Sequence, residues 1–237
     1  MANDLKNSPF AEGAATSMTE IQDEIRSLIM QKNYPCIAAV QSVVRHDYDI
    51  GTYLSFGSGL NGEALRRDLL NFLEKQRATD SKFLSYWAVF AAQNPDDEAT
   101  FETKLWRELS GLTSEAQRAS DWAEGSSSDP SDPSFCVSLN GEKLFVVGLH
   151  PKSSRLGRRF SRPALVFNAF AQFEKFEQEG TYVAMVKTNR DREMKFQGSL
   201  NPMVVAHGDE WESIQYSGRE NDARWKCPFH FAKENNK

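Results

Sequence analysis

The chain has 237 residues, 40% hydrophobic and 26% charged, the proportions of a globular protein that can bury one sizeable core. A net charge of −5 argues against a field that attracts nucleic acid or anionic lipid, and no run approaches the roughly 18 apolar residues that span a bilayer. Cys36, Cys136 and Cys227 are too few and too scattered for a disulfide framework, and the polar first residues lack the blocks of a secretory signal, so a cytoplasmic protein is expected.

Residues 1–17 read as a flexible lead-in and 18–237 as a single domain. Ser17 and Glu20 form a capping-box pattern, after which Ile21, Ile25 and Leu28 recur at helical spacing, predicting a helix over 18–31. Tyr34-Pro35 ends it, because proline cannot continue the hydrogen-bond ladder. The apolar run 36–44 predicts a buried strand, and 51–56 its partner. Glycines 57, 59 and 62 break the chain before a helix over 63–77. A strand follows at 83–91 and a helix at 97–111, with Phe101, Leu105, Trp106 and Leu109 inward.

The stretch 124–134 (EGSSSDPSDPS) suits a surface loop. Segments 135–139 and 143–149 flank Asn140-Gly141, a dipeptide that favours a two-residue hairpin. The second strand is almost wholly apolar and is therefore expected at the centre of a sheet. A short strand at 164–168 leads to a helix near 169–178, closed by Gly180. Beyond Arg192 no regular pattern emerges. Interleaved helices and strands with one hairpin give an α+β fold, a mostly antiparallel central sheet flanked by helices.

The segment 148–162 (GLHPKSSRLGRRFSR) stands out. It carries Lys152, Arg155, Arg158, Arg159 and Arg162 with no acid, inside a net acidic chain. Guanidinium groups bind carboxylate and phosphate in bidentate fashion, so this is either an anion site or a solvated basic loop. His150 stands at the strand's exit, and a neutral imidazole there can ligate a metal or serve the core. An axial base, cations and abundant aromatic residues (16 Phe, 5 Trp, 6 Tyr) are also what a heme cradle needs. Cys227 and His230 have metal-pair spacing but lack a full zinc ligand set. Gly57, Gly59 and Gly62 match a GxGxxG pattern, a weak sign of nucleotide binding because no acid closes the next strand.

FVVGLHP (145–151), Ser154-Arg155, Arg158-Arg159-Phe160, Pro163, Phe167-Asn168 and Gln172-Phe173-Glu174 carry a resemblance, as do Arg190-Asp191, QGS (197–199), NPM (201–203), QYSGR (215–219), Trp225 and CPF (227–229). With Tyr34-Pro35-Cys36 upstream, the chain resembles the YqcI/YcgG family from about residue 18 to 230. That resemblance implies a heme-dependent N-oxygenase. Its cofactor is heme b, its co-substrate dioxygen, its electron donor external, and its substrate a small amine or guanidine of amino-acid type. It further implies His150 as the iron ligand, with His207 or Cys36 as rivals. Arg155, Arg158 and Arg159 are expected to hold propionates or a substrate carboxylate. Asn168, Gln172 and Glu174 are expected at the substrate nitrogen, with Glu174 as its base. A heme sensor or carrier without turnover, and a cofactor-free binder of an anionic metabolite, stay open, as does a homodimer.

Overall fold

The computed structural model describes residues 17–91, 95–203, 212–222 and 224–232. The expected lead-in up to residue 16 and the rival ligand His207 lie outside them. Five strands form one sheet in the order β1-β2-β5-β4-β3. These are β1 (Tyr48–Ser55), β2 (Ser85–Ala91), β3 (Ser138–Leu139), β4 (Glu142–Leu149) and β5 (Ala164–Ala169). Only β1 and β2 run parallel; the other three pairings are antiparallel. The fold is therefore α+β with a mostly antiparallel sheet. β5 holds the middle, and β4 sits one place from it.

Among the described residues seven α-helices surround the sheet: α1 (Met18–Ile29), α2 (Ile37–Arg45), α3 (Gly62–Ala78), α4 (Glu98–Ser110), α5 (Arg118–Asp121), α6 (Ala171–Gln178) and α7 (Tyr182–Gln197). The Ser17–Glu20 capping box forms as the sequence implies, satisfying donors that the first turn leaves open. Asn140 and Gly141 turn the β3–β4 hairpin with φ of 50° and 76°, the positive values a two-residue connection demands.

The segment 36–44 is a helix, not the expected strand. Cys36 caps α2 by accepting from the Ala39 amide, and α2 buries Ser42 and Val43. A short apolar run carries no period that separates the two states, and here the cap and the packing choose helix. The other departure is α7, for which the sequence offers no apolar stripe; none of its side chains is buried.

Strand alternation divides the molecule. Leu144 and Val146 of β4, Tyr86, Ala88 and Phe90 of β2, and Leu165 and Phe167 of β5 point to one face. There they pack with Leu65, Leu69 and Phe72 of α3 and Phe101, Leu105 and Trp106 of α4. The C-terminal segment adds Tyr216 and Phe229 to this core, and the Gly148 amide donates to the Tyr216 carbonyl at 2.7 Å. On the other face Trp87, Val89, Val166 and Leu149 meet Ile21, Ile25 and Leu28 of α1 and Val43 of α2.

Candidate functional site

Beside that second core lies a cavity of about 320 Å³. Its floor is the sheet: Ser85 and Trp87 of β2, Phe145 and Val147 of β4, Val166 and Asn168 of β5. Asn168 pairs with Phe145 across the ladder, so it stands on the inner strands among aromatic rings. Its side-chain amide makes no hydrogen bond to a described residue, an expensive state for a half-buried amide unless water or a ligand completes it.

The walls bring distant sequence motifs together. Tyr34 donates to the Gly157 carbonyl at 2.8 Å across 123 residues. A Cβ on Gly157 would lie 3.4 Å from Pro35, so the Tyr34-Pro35-Cys36 element seats directly on the arginine-rich loop. Cys36 lines the cavity as the cap of α2. Burial pushes its thiol pKa up, opposed by the first-turn amides of α2 and by the nearby Arg192 and Arg158 guanidiniums. A metal ion in contact would outweigh the burial and hold the thiolate.

Arg158 also lines the cavity. It donates to the Tyr216 carbonyl at 3.0 Å, and burial lowers its pKa to about 10. Gly218 explains itself here: at φ +80° it passes the arginine shaft so closely that a Cβ would lie 2.5 Å from Arg158 Cδ. Arg155 reaches the cavity paired with Glu193 at 2.5 Å and held by the Ser199 carbonyl at 2.8 Å. Arg190 stands exposed at the rim with no ion-pair partner among the described residues.

Of the residues singled out from the sequence, Arg155, Arg158, Asn168, Gln172 and Cys36 converge on this cavity. Gln172 is partly spent on structure, donating to Gln76 at 3.0 Å and to the Leu84 carbonyl. Three others do not converge. His150 follows Leu149 by one residue, so strand alternation turns it to the opposite face. There it is fully buried and stacked on Phe101, ring centroids 4.1 Å apart at 18°. Neither of its ring nitrogens has a hydrogen-bond partner among the described residues, and burial drops its pKa to about 4. In that position it cannot reach a ligand in the cavity. Arg159 is exposed and donates to the Ser153 carbonyl at 2.7 Å; Glu174 is exposed on α6. Among the described residues, the carboxylates that do line the cavity are Glu193 and Glu212. Sequence reading missed both, Glu193 because α7 itself was not legible and Glu212 because it follows a stretch without pattern.

The glycine pattern at 57–62 holds no nucleotide-type anion hole. Its Gly57 amide already donates to the buried carboxylate of Glu108 at 2.6 Å. Among the described residues no cluster of three or more metal-binding side chains occurs, so Cys227 and His230 belong to no such group. No helix among them is long and apolar enough to cross a membrane. A family model described as the YqcI/YcgG family matches residues 25–230. No curated protein and no solved structure matches.

Proposed function

The chain belongs to the YqcI/YcgG family, and from that premise we propose that the cavity binds heme b through Cys36 and oxygenates a side-chain amine or guanidine of an amino-acid-like substrate in the cytoplasm. The observation that carries this reading is the placement of one soft donor, the Cys36 thiol, on the wall of an aromatic cavity that also receives Arg155 and Arg158. The donor set fits the group: a sulfur ligand, flat rings such as Trp87 and Phe145 for the porphyrin, and guanidiniums for its carboxylates. His150 is not part of that fit, since it is packed against Phe101 on the other face.

Bound there, the cofactor would supply dioxygen activation with electrons from an external donor, and a sulfur ligand favours O–O cleavage. The chain's own residues do the rest. Asn168 offers an unspent amide to orient the substrate nitrogen. Only a neutral nitrogen has a lone pair to oxidise, so a carboxylate must accept its proton. Glu212 and Glu193 line the cavity and take this role in place of the exposed Glu174, Glu193 being ion-paired with Arg155.

The test is a hemin titration of the wild type, Cys36→Ala and His150→Phe, followed by spectra of the ferrous carbonyl form. The expected result is a thiolate-type spectrum that Cys36→Ala abolishes and His150→Phe leaves intact. Incubation with arginine, lysine and related amines under oxygen and a reductant should then yield a product one oxygen atom heavier. Heme uptake indifferent to Cys36→Ala overturns the ligand assignment. Protein that stays colourless overturns the heme reading and leaves the arginines to an anionic metabolite.

A further inference from the structure

Arg155 and Arg158 both reach the cavity, but their guanidinium groups stand in opposite states. The terminal nitrogens of Arg155 are fully engaged. Nη2 pairs with Glu193 at 2.5 Å and donates to the Ser199 carbonyl at 2.8 Å, while Nη1 donates to the Ser199 hydroxyl at 3.1 Å. Among the described residues Arg158 donates through Nη1 only, to the Tyr216 and Gly148 carbonyls at 3.0 and 3.4 Å. Its Nε and Nη2 make no hydrogen bond to a described residue, and no carboxylate among those residues pairs with it.

Arg158 is also held in place. Its carbonyl accepts from the His150 amide at 3.0 Å, and its own amide donates to the Arg155 carbonyl at 2.9 Å. Gly218 presses on its shaft, where a Cβ would lie 2.5 Å from Cδ. A guanidinium drawn out of water without a counter-charge is costly, and burial lowers this one's pKa to about 10. Glu193 is close enough to favour its charged form, yet is already paired with Arg155. One carboxylate thus serves two guanidiniums, and an excess positive charge is left on a fixed fork of two donors. Arg190 at the rim also lacks an ion-pair partner among the described residues, but it is exposed and water screens it.

We propose that Arg158 is the anion anchor of the cavity: the Nε–Nη2 edge of its guanidinium receives one monoanionic carboxylate, and Arg155 takes none. That edge presents two parallel N–H groups at the spacing of carboxylate oxygens. A single negative charge balances Arg158, whereas a phosphate dianion would bring excess charge beside Glu193 and Glu212, which line the same cavity. Trp87 and Phe145 on the floor suit a flat apolar body behind the carboxylate. The anchor goes beyond the heme reading and does not rest on it, because a porphyrin propionate and a small aromatic acid share this chemistry.

Titrations of the full chain test the anchor and separate the two sources: benzoate and phenylphosphate followed by NMR, hemin and hemin dimethyl ester by absorbance. Benzoate should bind the wild type at least about tenfold more tightly than phenylphosphate. Arg158→Met should weaken benzoate about 100-fold and Arg158→Lys about tenfold, while Arg155→Lys, which keeps the Glu193 pair, changes it less than about threefold. Hemin held more tightly than its ester by the wild type, but not by Arg158→Met, assigns the carboxylate to the porphyrin. If hemin is refused while benzoate follows the expected order, the heme reading falls and the anchor stands. Hemin and its ester bound alike, with benzoate indifferent to Arg158→Met, overturn the anchor and leave the heme reading intact. Equal losses in Arg155→Lys and Arg158→Lys overturn it too, as does a wild type that binds neither hemin nor benzoate. An Arg158→Lys protein that loses stability in urea yet keeps benzoate makes Arg158 a strut for the Tyr216 carbonyl, and the anchor is wrong.

Discussion

On one face of the sheet Phe101, Trp106 and Tyr216 fill the space that the strands leave; on the other, Trp87, Phe145 and Val166 front a cavity. The two faces share the same strands, residue by residue. On the filled face the Gly148 position is so crowded that a Cβ would lie 2.6 Å from the Phe101 ring and 2.9 Å from Leu105. On the open face the neighbouring Val147 lines empty space. Even the polar groups differ. Glu102 on the filled face is satisfied by Ser217, Arg219 and Asn221, whereas Asn168 on the open face has an unspent amide. A family motif that spans a strand, such as FVVGLHP, therefore serves both faces at once: some of its positions hold the fold and others form the site.

The largest expected difference between the faces is in stability. Phe101→Ala should cost about 3–5 kcal/mol in urea unfolding, the usual price of deleting a buried ring, while Phe173→Ala on the cavity wall should cost under about 1.5 kcal/mol. Equal costs would break the distinction. Next is acid sensitivity. The folded His150 has a pKa of about 4, below its ordinary 6.5, so the unfolded chain takes up the proton first. Its contribution is complete above about pH 6.5 and is lost as the pH falls toward 4, a change on the order of 3 kcal/mol. His150→Phe, which keeps the stack on Phe101, should flatten that part of the stability profile; an unchanged slope would assign the acid sensitivity to other groups.

Crowding comes third. Gly148→Ala should destabilise by about 1–3 kcal/mol, because neither Phe101 nor Leu105 has room to move, whereas Val147→Ala should cost about 1 kcal/mol. The smallest stability effect sharpens the contrast most. Asn168→Leu should shift unfolding by less than about 1 kcal/mol, since the amide has no partner to lose among the described residues, yet lower turnover of the amine substrate about tenfold and leave hemin uptake unchanged. A large loss of stability with intact turnover would make Asn168 a structural residue.

Much of the frame was written locally in the chain. The Ser17–Glu20 box, the Asn140-Gly141 turn and the inward stripe of Phe101, Leu105 and Trp106 each depend on neighbours a few residues away, so spacing alone reveals them. The same is true of the family resemblance, whose ordered motifs lie in the matched region. Three things could not be read that way. The 36–44 run carries no distinguishing period, and its state was settled by the Cys36 cap and the packing of Val43. α7 has no apolar stripe because its inner face borders a cavity rather than a core. His150 looked like a ligand because it adjoins an arginine-rich loop in sequence. Proximity along a strand, however, says nothing of side, and consecutive side chains point to opposite faces. The sequence by itself determined most of the elements and the family. Tertiary structure decided which of the motif residues share a cavity, because that depends on strand parity and on contacts such as Tyr34 to Gly157 that close loops of more than a hundred residues.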